Sequence, residues 1–187
     1  MITIDGSDLL KAETLLKNIP KGIEKAVKRS VNETAAGTKS DMAKEAAKNY
    51  KVKVGDVKKV ISVHKGQDGF SAVVSSTGKP LPLSFFNPLP GHVQHRGKRN
   101  EPVSVEVKRG KRKRVKGGFI AKMDSGHVGV MKRVWKRRLP IDELYTVSMA
   151  RMIDDKEVIS RIEEKAEERL EKRFTHNVDS ILKGYGR

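Results

Sequence analysis

Cysteine is absent from the 187-residue chain, which excludes disulfides and thiolate metal sites. Aromatic residues make up only 5% and include one tryptophan, too few for a series of platforms that stack single-stranded bases. No apolar run approaches the roughly 20 residues of a membrane-spanning helix. The N-terminal MITIDGSDLLKAE lacks the basic start and apolar stretch of a signal peptide. The chain is therefore expected to be soluble, free of membrane contact and made in the cytoplasm. Also missing are a phosphate-binding glycine loop, a dinucleotide fingerprint, a nucleophile elbow and a paired metal-binding histidine motif on a helix. His64, His127 and His176 are isolated. His92 and His95 stand three apart, but in a basic loop without nearby carboxylates, where repulsion weakens cation binding. No catalytic residue, metal or cofactor is expected.

What the sequence has in excess is positive charge, +17 net at neutral pH, which predicts attraction to nucleic acid or acidic protein surfaces. The excess is localised. Residues 51–118 carry 16 Lys/Arg against 4 Asp/Glu, and residues 119–138 carry 6 against 1, whereas both ends are close to neutral. So few carboxylates in the basic middle leave little from which to build a carboxylate–metal nuclease centre. The densest stretch, Val107–Lys116, packs seven cations into ten residues.

The near-neutral ends read as helices. From Ser7, a good N-cap residue, Leu9, Leu10, Leu15, Leu16 and Ile19 recur at near-helical spacing. Pro20 predicts a break, after which Ile23, Ala26, Val27, Ser30, Val31, Thr34, Ala35, Thr38, Met42 and Ala46 keep the rhythm to about Asn49. That stripe of small residues predicts close packing, with Gly37 as a weak point. Asp154, Asp155 and Glu157 suit a helix N-terminus. Val158, Ile159, Ile162, Ala166, Leu170, Phe174, Val178, Ile181 and Leu182 then line one face of a helix ended by Gly184. Its other face interleaves glutamates with Lys165, Arg169, Lys172 and Arg173, predicting i,i+4 pairs and a solvated surface.

Between the helices, Gly69–Ser76, Pro102–Lys108, Gly118–Met123 and Val128–Trp135 have strand character. Asp124-Ser125-Gly126 is a hairpin turn, and a short helix is expected over 55–62. Leu81–Pro90, with three prolines, reads as an irregular loop. The stretch from Asn87 to about Lys116 reads as one long arm or a hairpin with a mobile tip. The expected architecture is a single α+β domain over 1–187. Its long N- and C-terminal helices, about 7–49 and 154–183, flank a small antiparallel sheet in a β-rich basic middle, about 51–138.

The basic residues Arg96, Lys98, Arg99, Lys108, Arg109, Lys111, Arg112, Lys113, Arg114 and Lys116 admit three readings. They can neutralise DNA phosphates without reading sequence; six such contacts would give a log–log salt slope of roughly −5. They can pair with acidic faces of partner proteins, including faces like that of the C-terminal helix. They can also simply keep a strand edge from pairing. Among apolar residues, Phe119, Ile120, Val130 and Val134 read as core. Leu83, Phe85 and Phe86 read as an exposed anchor, and Trp135, beside Arg137 and Arg138, reads as core or as a subunit contact. Leu139–Ile141 reads as a connection to the last helices.

One further pattern lies in residues 117–153. Gly118-Phe119-Ile120, Gly126, Val130-Met131-Lys132-Arg133-Val134, Lys136-Arg137-Arg138, Pro140-Ile141-Asp142 and Met149-Ala150 follow one another in an order that resembles the minor tail protein Z family of long-tailed bacteriophages. The layout is also similar: a small-residue helix, a basic loop before the Gly-Phe-Ile strand, and a C-terminal helix. The resemblance implies a non-enzymatic structural part at the head-proximal end of the tail, completing the head–tail joint in the virion after assembly in the host cytoplasm. It further implies a homo-oligomeric ring around the DNA path, expected as a hexamer. Its neighbours would be the tail terminator and other tail or neck proteins, with double-stranded DNA touched only at its backbone. The alternative is a non-specific DNA-binding accessory protein that uses the same basic segment outside any particle.

Overall fold

The computed structural model describes residues 6–19, 21–94, 101–137 and 139–184. Helix α1 covers Gly6–Leu16 and α2 covers Gly22–Asn49, with the expected interruption between them. Of the predicted α1 stripe only Leu16 is fully buried; Ala12 joins it, while Leu10 and Leu15 face outward. The terminal helix α5 runs Lys156–Leu182 and is capped by Asp155, whose carboxylate accepts from the Glu157 N–H at 3.2 Å. Its predicted stripe is buried from Val158 to Ile181, but Ile159 and Leu182 lie at the margin and are exposed.

Helices α2 and α5 run antiparallel. Contacts descend α2 from Glu45 through Asp41 and Glu33 to Ser30 as they ascend α5 from Lys165 through Arg169 and Arg173 to Asn177. The small residues of α2 permit this approach: Ala26, Ser30 and Ala35 are buried there, and Ser30 Oγ accepts from Asn177 Nδ2 at 3.0 Å. One apolar cluster joins α1 to the outer ends of this pair through Ala12, Leu16, Ala26, Phe174, Val178 and Ile181. A larger cluster joins the other ends to the β-rich middle and includes Val57, Ile61, Phe86, Val103, Val130, Met152 and Val158.

Among the described residues, the middle of the chain forms four small antiparallel sheets, which with the flanking helices make an α+β fold. Helix α3 (Val54–Lys59) is shorter than expected. Beyond it the alternation of Ile61, Ser62 and Val63 has a period of two, and residues Ile61–Lys65 form β1, paired with β2 (Ala72–Ser76). The expected irregular loop contains β3 (Leu81–Pro82) and a single 3-10 turn, Leu83–Phe86. That turn corrects the reading of an exposed anchor. Residues three apart share one face of a 3-10 helix, so Leu83 and Phe86 both enter the core and only Phe85, 39% exposed, faces solvent.

Within the expected arm, β4 (Ser104–Lys108) and β5 (Lys111–Arg114) form a hairpin, while residues 95–100 lie outside the described residues. Next, β6 (Gly118–Lys122) and β7 (Val128–Arg133) form the predicted hairpin, with Gly126 at φ +87° in its turn. Residues Ile141–Glu143, expected within or beside a connection, form β8, the third strand of that sheet. A two-residue strand β9 (Tyr145–Thr146) pairs with β3, and the short helix α4 (Met149–Ile153) buries Met149, Met152 and Ile153. Strand β7 ends at Arg133. Val134 and Trp135 therefore leave the sheet, and Trp135 is 68% exposed instead of joining the core.

Candidate interaction surface

The β4–β5 hairpin exists because its first strand alternates. Val103 and Val105 are buried in the main core and Val107 packs against it, while the intervening residues point away. Gly110, at φ +70°, makes the reversal, and its N–H donates to Glu106 Oε1 at 3.0 Å. That bond, with the Lys51 and Arg112 charges nearby, holds the Glu106 carboxyl below its ordinary range. Val115 returns to the core side, and its N–H donates to the Val103 carbonyl at 2.7 Å. All four residues of β5 between these anchors are exposed.

The predicted basic residues separate into two groups. Lys108, Arg109 and Arg112 are used inside the chain. Lys108 Nζ donates to Asp155 Oδ2 at 2.8 Å and lies 5.3 Å from the centre of the Tyr50 ring. Tyr50 donates its hydroxyl to the same Asp155 oxygen at 2.6 Å. Lys108 first, and Tyr50 next, hold Asp155 down to about 2, while burial and the adjacent carboxylate push the Tyr50 hydroxyl up. Arg109 places its Nε on the Ala47 carbonyl at 2.7 Å and its N–H on the Asn49 carbonyl at 2.9 Å, satisfying two acceptors at the end of α2. Arg112 donates to the Ser104 carbonyl at 3.0 Å and stands 3.8 Å from Glu106.

The side chains of Lys111, Lys113, Arg114 and Lys116 make no hydrogen bond or ion pair among the described residues and project into solvent. Arg96, Lys98, Arg99 and Arg138 lie outside the described residues, as does His95. Lys132 extends the free cations toward Lys116, its side chain passing beside Gly117. Trp135 and Arg137 are exposed beyond the end of β7. The structure thus brings β5, Lys116 and the β7 end to one region, and removes Leu83 and Phe86 from any surface.

Sequence reading missed the Tyr50–Lys108–Asp155 group and the acids of α2. Nothing local marks Tyr50, because its partners lie 58 and 105 positions away. Asp41 and Glu45 did carry a signal, being acids four apart on a helix face otherwise built from alanine and methionine. Glu45, 1% exposed, accepts from Lys165 at 2.5 Å and Lys48 at 2.9 Å, which together hold its carboxyl low. No group of three or more histidines, aspartates and glutamates is placed to hold a metal among the described residues.

The described residues thus present a cationic strand edge on a hairpin that Lys108 and Arg109 tie to the ends of two long helices. The chain belongs to the family described as Prophage minor tail protein Z (GPZ), whose model matches residues 9–186. No curated protein and no solved structure matches it significantly. The family is one of phage minor tail proteins, so the chain's role is structural and belongs to the tail.

Proposed function

We propose that this chain completes the head-proximal end of the tail, forming a homo-oligomeric ring around the DNA path next to the tail terminator and neck proteins. It acts without catalysis, and the β4–β5 hairpin faces either DNA phosphates or acidic surfaces of adjoining subunits. The observation carrying this reading is β5. Four consecutive exposed residues are all cationic, and the side-chain charges of Lys111, Lys113 and Arg114 have no partner among the described residues. Within a ring, each copy would add its own free cations, and the field at the rim or lumen would grow with copy number.

Antibody labelling of phage particles, viewed by electron microscopy, tests the placement. Label is expected at the head-proximal end of the tail. Intact particles without label, whose denatured components also lack the chain, would remove it from the virion and leave free DNA binding as its role.

A further inference from the structure

Two sets of opposite charge remain after the chain has made its own ion pairs. Along α5, Arg161, Lys165, Arg169 and Arg173 recur every four residues and turn to Glu45, Asp41 and Glu33 of α2. This leaves Glu163, Glu164, Glu167 and Glu171 exposed, with no partner for their carboxylates among the described residues. Three of them stand at i, i+4 and i+8, where each repels the next. The β5 side leaves Lys111, Lys113, Arg114 and Lys116 equally unpaired.

We infer that the β5 edge of one copy docks on the outward face of α5 of a second copy. This rests on the oligomeric part of the reading above and not on the position in the tail. The two surfaces match in sign and reach. Lys111 to Arg114 spans about 10 Å of strand, with Lys116 in the turn beyond it, and Glu163 to Glu171 spans about 12 Å of helix. Trp135 favours protein over DNA as the occupant. Because Gly118 pairs with Lys132, Lys116 enters the β6–β7 sheet at the same end from which Trp135 leaves it. An exposed tryptophan beside a basic edge suits the anchor of a protein interface, whereas a phosphate backbone offers it no apolar pocket. Since the two surfaces differ, the contact is head-to-tail and propagates into a ring or an open helix.

Charge exchange in the full-length chain tests this contact. Sedimentation velocity at about 0.1 M salt, where neighbouring charges are incompletely screened, is run on wild type, on K111E/K113E/R114E and on E163K/E167K/E171K. Wild type is expected to associate with rising concentration, each variant alone to remain monomeric, and an equimolar mixture of the two to associate again. Circular dichroism and melting establish folding, and glutamine replacements substitute for any reversal that unfolds. Monomeric wild type at every concentration overturns the inference, as does a mixture of folded variants that fails to associate. Loss of duplex-DNA binding in the hairpin variant alone, without rescue on mixing, assigns the edge to DNA instead. Unlabelled virions with successful rescue would remove the tail placement and leave the contact standing; labelled tails without rescue would do the reverse.

Discussion

Gly37 lies in the middle of a 28-residue helix, where alanine would ordinarily be about 1 kcal/mol better. The structure gives its missing side chain a purpose. A Cβ at this position would overlap the guanidinium and stem of Arg169, which crosses α2 to reach Asp41 at 2.7 Å. Asp41 is buried, and Arg169 is its only ion-pair partner among the described residues. Gly37→Ala therefore gains helix propensity but displaces the cation from a buried carboxylate, a loss that outweighs the gain. The expected result is net destabilisation of about 1–2 kcal/mol, read from urea midpoints. In an Arg169→Ala background the obstacle is gone, and the same substitution should stabilise by up to about 1 kcal/mol. Equal signs in the two backgrounds would show that the glycine is not there to admit Arg169.

Elements are joined in the same way, through charged residues whose partners are distant in sequence. The Asp155 carboxylate caps α5, accepts from Lys108 on β4, and accepts from Tyr50 at the end of α2, so one group ties two helices to the basic hairpin. Its folded value of about 2 lies below the ordinary 3.8, so its contribution is fully present above the unfolded value and is lost as pH falls through 2. Wild type should lose on the order of 1–2 kcal/mol through this group between about pH 4 and 2. Asp155→Asn should be less stable at pH 6 and should converge on wild type near pH 2, as measured by urea midpoints across that range. Parallel curves would show that Asp155 is not a pH-linked tie. The helices and the β6–β7 hairpin were legible in the sequence because each is specified by a local period: the α5 stripe from Val158 to Ile181, or Phe119-Ile120 and Val130 around the Asp124–Gly126 turn. The basic segment was harder to read. In β5 every residue is cationic and exposed, so no alternation marks a strand; the Val105–Val107 alternation of its partner, the Val115 anchor and the Arg112 bond to the Ser104 carbonyl hold it there. The Leu83–Phe86 turn was misread because prolines around it suggested a loop, while the three-residue spacing of its buried side chains was the informative feature. The α5 cations were expected to pair along their own helix, and most turn instead to α2, a choice settled by antiparallel packing that no local window contains.

At the scale of the whole molecule, the +17 net charge opposes self-association, so any ring must depend on local complementarity rather than overall attraction. That requirement makes ring parity testable. K111E/K113E/R114E carries acidic residues at both docking surfaces, and E163K/E167K/E171K carries basic residues at both. Each variant repels itself, and only strictly alternating copies make every contact favourable. A ring with an even number of subunits, such as the proposed hexamer, can close in this alternating order. An odd ring must contain one junction between like copies. Supplying the two variants together to a phage lacking the wild-type gene should therefore restore head-joined tails and plaques if the ring is even, whereas either variant alone should leave tails unjoined. Counting joined and free tails by electron microscopy separates assembly from later steps of infection. If the mixture associates in solution but tails remain unjoined, the hexamer is overturned in favour of an odd ring or an open assembly. If either variant alone joins heads to tails as well as wild type does, the basic edge has no part in tail completion.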